Sequence, residues 1–395
     1  MWEPVQADQA EQPVYIVSRE QGSASVIERL TPEWQALCSE GPCDEPFYQP
    51  SWVRAYLSEF DANARVTILT VRRDGALRAI LPFAERPLGI GPVRIRWLRA
   101  TANTHFPRFD VIHGAGDKAA VSDALWSFLK EWSGWDILQF HSAPLGGVAW
   151  ELVEKASDDG YATRFHQPDA SPYIDVTRFP NGVDEIITSL PSSLRSQNRR
   201  SLKRLRALGD VSFKVLGSRN SVREITDEIQ AFYHLEASGW KGVAGSSILS
   251  DPRARAFYDR IIADASADHS LAICHLMCDE KKIATKLNLI WKQTMYELKS
   301  SYDEDYSKCS PGHLIKAYSV DFAVTHDISV LDNCGRADPH KLAWTECSRP
   351  FATCFIGGRS VKGRVAWATV FSIGPRVRKL LKNRPIPTFI RQLLD

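Results

Sequence analysis

Apolar and polar positions alternate through "ARVTILTVRRDGALRAILPFAERP" (64–87), and the alternation is broken once, at Asp74-Gly75. That pattern predicts strand, tight turn, strand. Just before it, "PFYQPSWVRAYLSEF" (46–60) places apolar residues at helical spacing after Ser51. "VRIRWLRA" (93–100) reads as a further strand, "KAAVSDALWSFLKEW" (118–132) as a helix and "WDILQFHS" (135–142) as a buried strand. The first 150 residues are therefore expected to mix α and β around an antiparallel hairpin.

A second half begins near Ser171 with the short strand "SPYIDVT". Residues 182–210 have helical spacing on both sides of Pro191, and "VSFKVL" (211–216) is a strand. Helices follow at 221–240 and 251–267. "SLAICHLMC", "KIATKLNLIW" and "TMYELKSSY" are then three strands joined by the hairpin-sized links Asp279-Glu280-Lys281 and Lys292-Gln293. A helix from Gly312 to His326 and the strand "ISVLDN" (328–333) complete the order β, α, α, β, β, β, α, β.

The length of 395 residues suits about two or three domains. A hydrophobic share of 44% and a charged share of 24% are those of a soluble globular chain. The N-terminal stretch has neither a basic nor an apolar signal segment, and no apolar run reaches bilayer length, so a cytoplasmic protein is expected. The eight cysteines include no C-x-x-C pair. In "LAICHLMC", Cys274 and Cys278 share one strand face and His275 takes the other, so no metal is expected. A net charge of +2 and the lack of a recognisable motif argue against DNA.

Charge is unevenly spread, and its distribution points to chemistry. The helical stretch 193–206 carries Arg195, Arg199, Arg200, Lys203, Arg204 and Arg206 without an acid. A stripe of Arg195, Arg199, Lys203 and Arg206 suits phosphate contact, while Leu194, Asn198, Leu202 and Leu205 face inward. At 300–318, Ser310-Pro311-Gly312-His313 opens a helix directly after three acids. A helix start can hold a phosphate on its unpaired N–H groups, here those of Gly312, His313 and Leu314, or can be an ordinary cap. Asp303, Glu304 and Asp305 would raise one another's pKa, which suits a general base, Asp303 foremost with Glu304 beside it. The bland alternative is a solvated loop. Glu236, Trp240 and Lys241 end a helix before the Gly-rich "KGVAGSS", which reads as a lid or substrate loop, or as a plain helix end. Residues 348–395 hold ten Arg or Lys and one acid, Asp395, mixed with aromatic and aliphatic residues. Such a basic tail suits peripheral contact with an anionic membrane, or covers the core as a C-terminal helix.

Four stretches together carry a resemblance: "LPSSLRSQNRRSLKRL", "EASGWKGVAGSSILSDPRARAFY", "SSYDEDYSKCSPGHLI" and "LDNCGRADPHKLAWTE". They resemble the FemAB-like branch of the GNAT superfamily, specifically the CelD (BcsL)-type acetyltransferase-like proteins of bacterial exopolysaccharide and cellulose biosynthesis. The resemblance is clearest over about 175–345. It implies an α+β, tandem GNAT-like acyl-CoA N-acyltransferase fold with mixed central sheets flanked by helices. The lobes would be 1–170 and 171–347, followed by the tail 348–395. In such a fold the strand before the helix splays from its neighbour, and the acyl-CoA pyrophosphate sits on the N–H groups at the start of the helix.

Carried over residue by residue, Lys308, Ser310, Gly312, His313 and Leu314 would hold the CoA pyrophosphate. Arg195, Arg199, Trp240, Lys241, Tyr302, Asp338 and Lys341 would bind substrate. His340 stands where the family pattern has Tyr and would replace it in proton transfer. The implied activity moves an acyl group from acyl-CoA to an amine or hydroxyl of a cell-envelope or exopolysaccharide precursor, a small molecule or a lipid-linked sugar. Two rivals remain: aminoacyl-tRNA-dependent Fem-type transfer, and a non-catalytic scaffold in polysaccharide assembly.

Overall fold

Hairpins with local turn signals organise the chain. A computed structural model describes residues 14–22, 25–42, 44–90, 93–179, 183–217 and 220–373. The first lobe opens with β1 (Tyr15–Gly22), α1 (Ser25–Glu40) and α2 (Pro50–Phe60). The meander β2 (Arg65–Arg73), β3 (Ala76–Ile90) and β4 (Val93–Ala100) follows, with the short β5 (Ile112–His113) beside β3. Asp74 and Gly75 both take positive φ, as the predicted hairpin turn requires. After α3 (Lys118–Glu131), β6 (Ile137–Pro144) lies parallel to β4 over only three residues, 97–99 against 137–139. Then come α4 (Val148–Asp158) and β7 (Ala162–Asp175).

The second lobe repeats this plan. It runs α5 (Val183–Ser189), α6 (Ser192–Arg206), β8 (Val211–Gly217), α7 (Val222–Ser238), α8 (Trp240–Val243) and α9 (Pro252–Ala267). The meander β9 (Leu271–Cys278), β10 (Lys281–Trp291) and β11 (Thr294–Tyr302) leads to α10 (Pro311–Thr325) and β12 (Val330–Asp332). A capping box of Ser221 and Glu224 starts α7, and Asp251 caps α9 ahead of Pro252. Asp279 and Lys292 take positive φ in the two tight links of the meander. Like β4 and β6, β11 and β12 are parallel over three residues, 294–296 against 330–332.

The described residues close with α11 (Pro339–Leu342), β13 (Ser348–Gly357), α12 (Val361–Ala368) and a short π-helical turn at Thr369–Ile373. These elements correct two boundary expectations. Residues 348–357 are not tail: β13 is inserted antiparallel between β6 and β7 in the first lobe, with Ala352, Cys354 and Ile356 fully buried. The expected boundary at 170/171 falls inside β7, which pairs with β13 along most of its length and with β12 over its last three residues. Strand order is thus continuous: β1-β2-β3-β4-β6-β13-β7-β12-β11-β10-β9-β8. Of the tail 348–395 read for membrane contact, residues from 374 onward lie outside the described residues. Among the described residues no helix is long and apolar enough to cross a membrane.

Helices α2 and α9 join the lobes on one side of the sheets. Trp52 meets Phe257 edge-on at 5.6 Å, and Phe47 meets Tyr296 at 5.1 Å. On the opposite strand face α10 buries Leu314, Ile315, Val320 and Ala323 against β9–β11. The same two faces separate Cys274 from His275. Cys274 accepts from Asn288 at 3.3 Å, whereas His275 lies 3.1 Å from Glu228 of α7.

Candidate functional site

The site grows from two strands that stop pairing. β11 and β12 separate after Tyr296 and Asp332, leaving a wedge between 297–302 and 333–338. At the mouth of the wedge β11 gains a residue. Glu297 faces Asn288 and Lys299 faces Leu287, so Leu298 has no cross-strand partner. Such a bulge leaves the extra residue unpaired and disrupts the ladder locally. The wedge opens into a cavity of ≈ 300 Å³ walled by both lobes: His105 and Phe106 from the first, Lys241, Tyr258, Glu297, Lys299, Asn333, Asp338 and Lys341 from the second.

Beneath the cavity lies a buried ion network. Lys286 of β10 donates to Glu297 Oε2 at 2.8 Å. Lys316 of α10 donates to the same oxygen and to Asn333 Oδ1. Burial alone would raise the Glu297 carboxyl, but the two ammoniums overcome it and hold the group at about 2. Burial pushes Lys286 down to about 8 against the pull of Glu297. A second network fixes the end of β12: Asp332 accepts from Arg108 of the first lobe and from Arg349 at 2.7 Å, and Arg108 Nε lies 3.0 Å from Glu45. Burial opposes the ionised form of Asp332, yet the two guanidiniums hold its carboxyl below the usual range.

The cavity walls are held mostly by their own bonds. Lys241 Nζ donates to the buried Glu236 at 2.9 Å and to Ser300 O at 2.8 Å. Lys341 Nζ donates to the carbonyls of Cys334 and Arg336 at 2.7 and 2.8 Å, closing the loop around Gly335. Asp338 caps α11 by accepting from Lys341 N at 3.0 Å. His105 Nδ1 is 3.4 Å from the Tyr258 hydroxyl, and burial, helped by Lys299, lowers its pKa to about 4. Lys299 Nζ lies 5.5 Å from the Tyr258 ring centre.

The start of α10 lies beside the basic helix. Gln197 Nε2 donates to Ser310 Oγ at 3.2 Å, and Arg204 donates to Lys308 O at 3.1 Å. Ser310 takes a left-handed conformation, φ 47°, and its carbonyl accepts from both His313 N and Leu314 N. The three-donor cradle is therefore corrected to one. Gly312 N–H alone keeps no partner among the described residues, with open space around it. Among the described residues none of the six cations of α6 sits in an ion pair. Arg195 spends one N–H on Thr188 O, while Arg199 stands on the same helix.

The acid cluster holds structure together outside the cavity walls. Asp303 bonds Lys281 at 2.8 Å and accepts from Asp305 N at 3.0 Å. Its partial burial is outweighed by these contacts, and its carboxyl falls below the ordinary value. The expected mutual elevation is thus corrected: Lys281, on the neighbouring strand β10, and the Asp305 backbone N–H hold the Asp303 carboxyl down against its burial. Glu304 accepts from Trp240 N at 2.7 Å and so pins the start of α8, the expected lid. Trp240 itself is exposed. Glu304→Ala should speed amide exchange over 240–246 about fivefold, as loss of a helix cap worth about 1 kcal/mol would. Unchanged exchange by mass spectrometry would show that Glu304 does not hold this segment.

His313 and His340 are brought together, ring on ring at 4.4 Å, and Trp344 Nε1 donates to His313 Nδ1 at 3.1 Å. Burial and the neighbouring His340 lower His313 to about 4. Tyr302 packs at the end of β11 against the second core. Of the residues proposed from sequence, Lys241, Asp338 and Lys341 line the cavity, whereas Glu297, Lys299, Asn333, Tyr258 and His105 were not singled out. Lysines and a glutamate inside otherwise apolar strands are the available signal, since buried charges occur only when paired.

The matching helix of the first lobe starts differently. Asp117 places its own carboxylate at the start of α3, bonded by Tyr15 at 2.6 Å and Arg73 at 3.3 Å. That helix start already carries an internal anion, so the two halves of the repeat are chemically unequal.

This plan, a meander, a helix and a splayed parallel strand repeated twice, is the tandem GNAT-like fold expected from the sequence. Residues 192–342 match the acetyltransferase (GNAT) domain family. Among solved structures, the chain is similar to a crystal structure of FemX, with a TM-score of 0.55 and 11% identity, over 89% of this chain and 99% of that one. It is also similar to the C-terminal domain of a putative lysylphosphatidylglycerol synthetase from Agrobacterium fabrum. There the TM-score is 0.51 and the identity 14%, over 87% of this chain and 96% of that one. No curated protein matches the chain in sequence.

Proposed function

We propose that the second lobe transfers an acyl group from acyl-CoA to an amine or hydroxyl acceptor. The observation that carries this reading is the wedge between β11 and β12, which joins a bulged strand to a polar cavity walled by both lobes. The thioester arm would lie in the wedge, and its phosphates would meet Gly312 N–H and the unpaired cations of α6. Backbone N–H groups released at the Leu298 bulge would polarise the thioester carbonyl. The acceptor nitrogen or oxygen attacks that carbon, the C–S bond breaks and CoA leaves as the thiol. Asp338, a cavity carboxylate outside the buried network, would take the acceptor's proton. Holding both reactants in one cavity would supply much of the rate. A cytoplasmic site and a cell-envelope or exopolysaccharide precursor as acceptor complete the reading.

Calorimetric titration with acetyl-CoA, a long-chain acyl-CoA and free CoA tests the proposal. Binding in the micromolar range, about −8 kcal/mol, is expected. Gly312→Pro removes the free donor at a position where helices tolerate proline, so it should weaken binding about tenfold or more without unfolding the chain. No binding to any of the three would overturn the reading. The unpaired cations of α6 also favour a second reading, aminoacyl-tRNA as donor. Displacement of bound tRNA by CoA, or its absence, separates the two. A scaffold without chemistry would bind neither.

A further inference from the structure

We infer that the acceptor carries an anionic group, a carboxylate or a phosphate, bound in the cavity by Lys299 together with Asn333 Nδ2. This rests on the proposed function, because it takes the cavity to be the acceptor side of the wedge.

Lys299 stands apart from the other lysines around the cavity. Lys241, Lys286, Lys316 and Lys341 each hold a carboxylate or a carbonyl. Among the described residues Lys299 has no hydrogen bond and no ion pair, and its recorded contact is the face of Tyr258. An aromatic face is a weak substitute for an anion at a half-buried ammonium. Asn333 makes the second observation. It is 2% exposed, its carbonyl oxygen is taken by Lys316, and its Nδ2 is buried without a partner while the residue lines the cavity. A buried donor left unmade is costly, so a ligand acceptor atom is the fitting complement.

The formal charge agrees. Five ammoniums, of Lys241, Lys286, Lys299, Lys316 and Lys341, surround the cavity with three carboxylates, of Glu236, Glu297 and Asp338. That leaves an excess of two cations: one arises where Lys286 and Lys316 share the single carboxylate of Glu297, and the other is Lys299, which has no ion pair among the described residues. Acyl-CoA does not supply the missing anion here, because its thioester arm is uncharged and its phosphates belong at the start of α10. The anion is then the acceptor's, close to its nucleophilic group.

The test uses the full chain, saturated with CoA, and two matched pairs of probes. One pair is glucosamine 6-phosphate against glucosamine, and the other is glycine against glycinamide. Calorimetry or ligand-observed NMR reads binding without requiring turnover. The anionic member of at least one pair should bind about tenfold more tightly, and the favoured pair identifies phosphate or carboxylate. In Lys299→Gln that preference should shrink to about twofold or less, and Lys299→Arg should restore part of it. Affinity for CoA should be the same in all three proteins. If CoA binds but no probe pair shows the preference, or Lys299→Gln leaves it intact, this inference falls while the donor reading stands. If CoA does not bind the unaltered chain, the donor reading has failed first.

Discussion

A chain ended at Cys347 should fail to fold its first lobe, although it keeps every residue of the expected second lobe. The cut removes β13, which lies between β6 and β7 and pairs with both. Phe351, Phe355 and Ile356 leave the core with it. Burial of three such side chains contributes on the order of 5–9 kcal/mol, comparable with the whole stability of a domain. The strand's hydrogen bonds to both neighbours are lost as well, which exposes two new sheet edges and favours aggregation. A chain ended at Ile373 is the control, because it keeps every described strand. Circular dichroism and size-exclusion chromatography should show native content only for the longer chain. A folded monomer from the shorter one would refute the placement of β13.

Glu297→Ala should cost about 3–5 kcal/mol in urea unfolding at pH 7, because it leaves Lys286 and Lys316 buried without their carboxylate. Adding Lys286→Met should recover part of this loss, since one unpaired charge is then removed. The same network sets an acid dependence. The Glu297 carboxyl is depressed from 4.5 to about 2 in the folded protein. Its stabilisation, of order 3 kcal/mol, is therefore fully present above the unfolded value and is lost as pH falls from about 4.5 through 2. The Ala variant should show a shallower loss of stability over that window. An equal slope in both proteins, or a cost below about 1 kcal/mol, would mean that the network is not as buried as described.

Local patterns made much of the architecture legible. The hairpin at Asp74-Gly75, both links of the second meander and the break at Pro191 all lie where alternation and turn residues put them. Long-range pairing was not legible. "FATCFIGG" has the apolar run of a strand, but its partners lie some 180–220 residues earlier, and nothing local encodes that register. The basic residues around it favoured a tail. In the site, Lys241, Asp338 and Lys341 could be named from their loops. Lys286 in "KIATKLNLIW" and Glu297 with Lys299 in "TMYELKSSY" break apolar strands with charge, which was the unused signal. His105 carried no signal at all, because it reaches Tyr258 across 153 positions of chain. Asp303 misled for a related reason: its adjacent acids are visible in sequence, whereas Lys281 faces it only after the meander forms.

The return of β13 to the first half also sets an order of events during synthesis. The ribosome delivers β6 and β7 long before β13, and all the strands of the second lobe emerge in between. The first lobe must wait, with a gap in its sheet, until the second has been made. Its last strand then closes a loop that contains an entire lobe. A chaperone that covers the open edges of β6 and β7 would act in that interval, and the first half could not be passed to another protein as a self-sufficient piece.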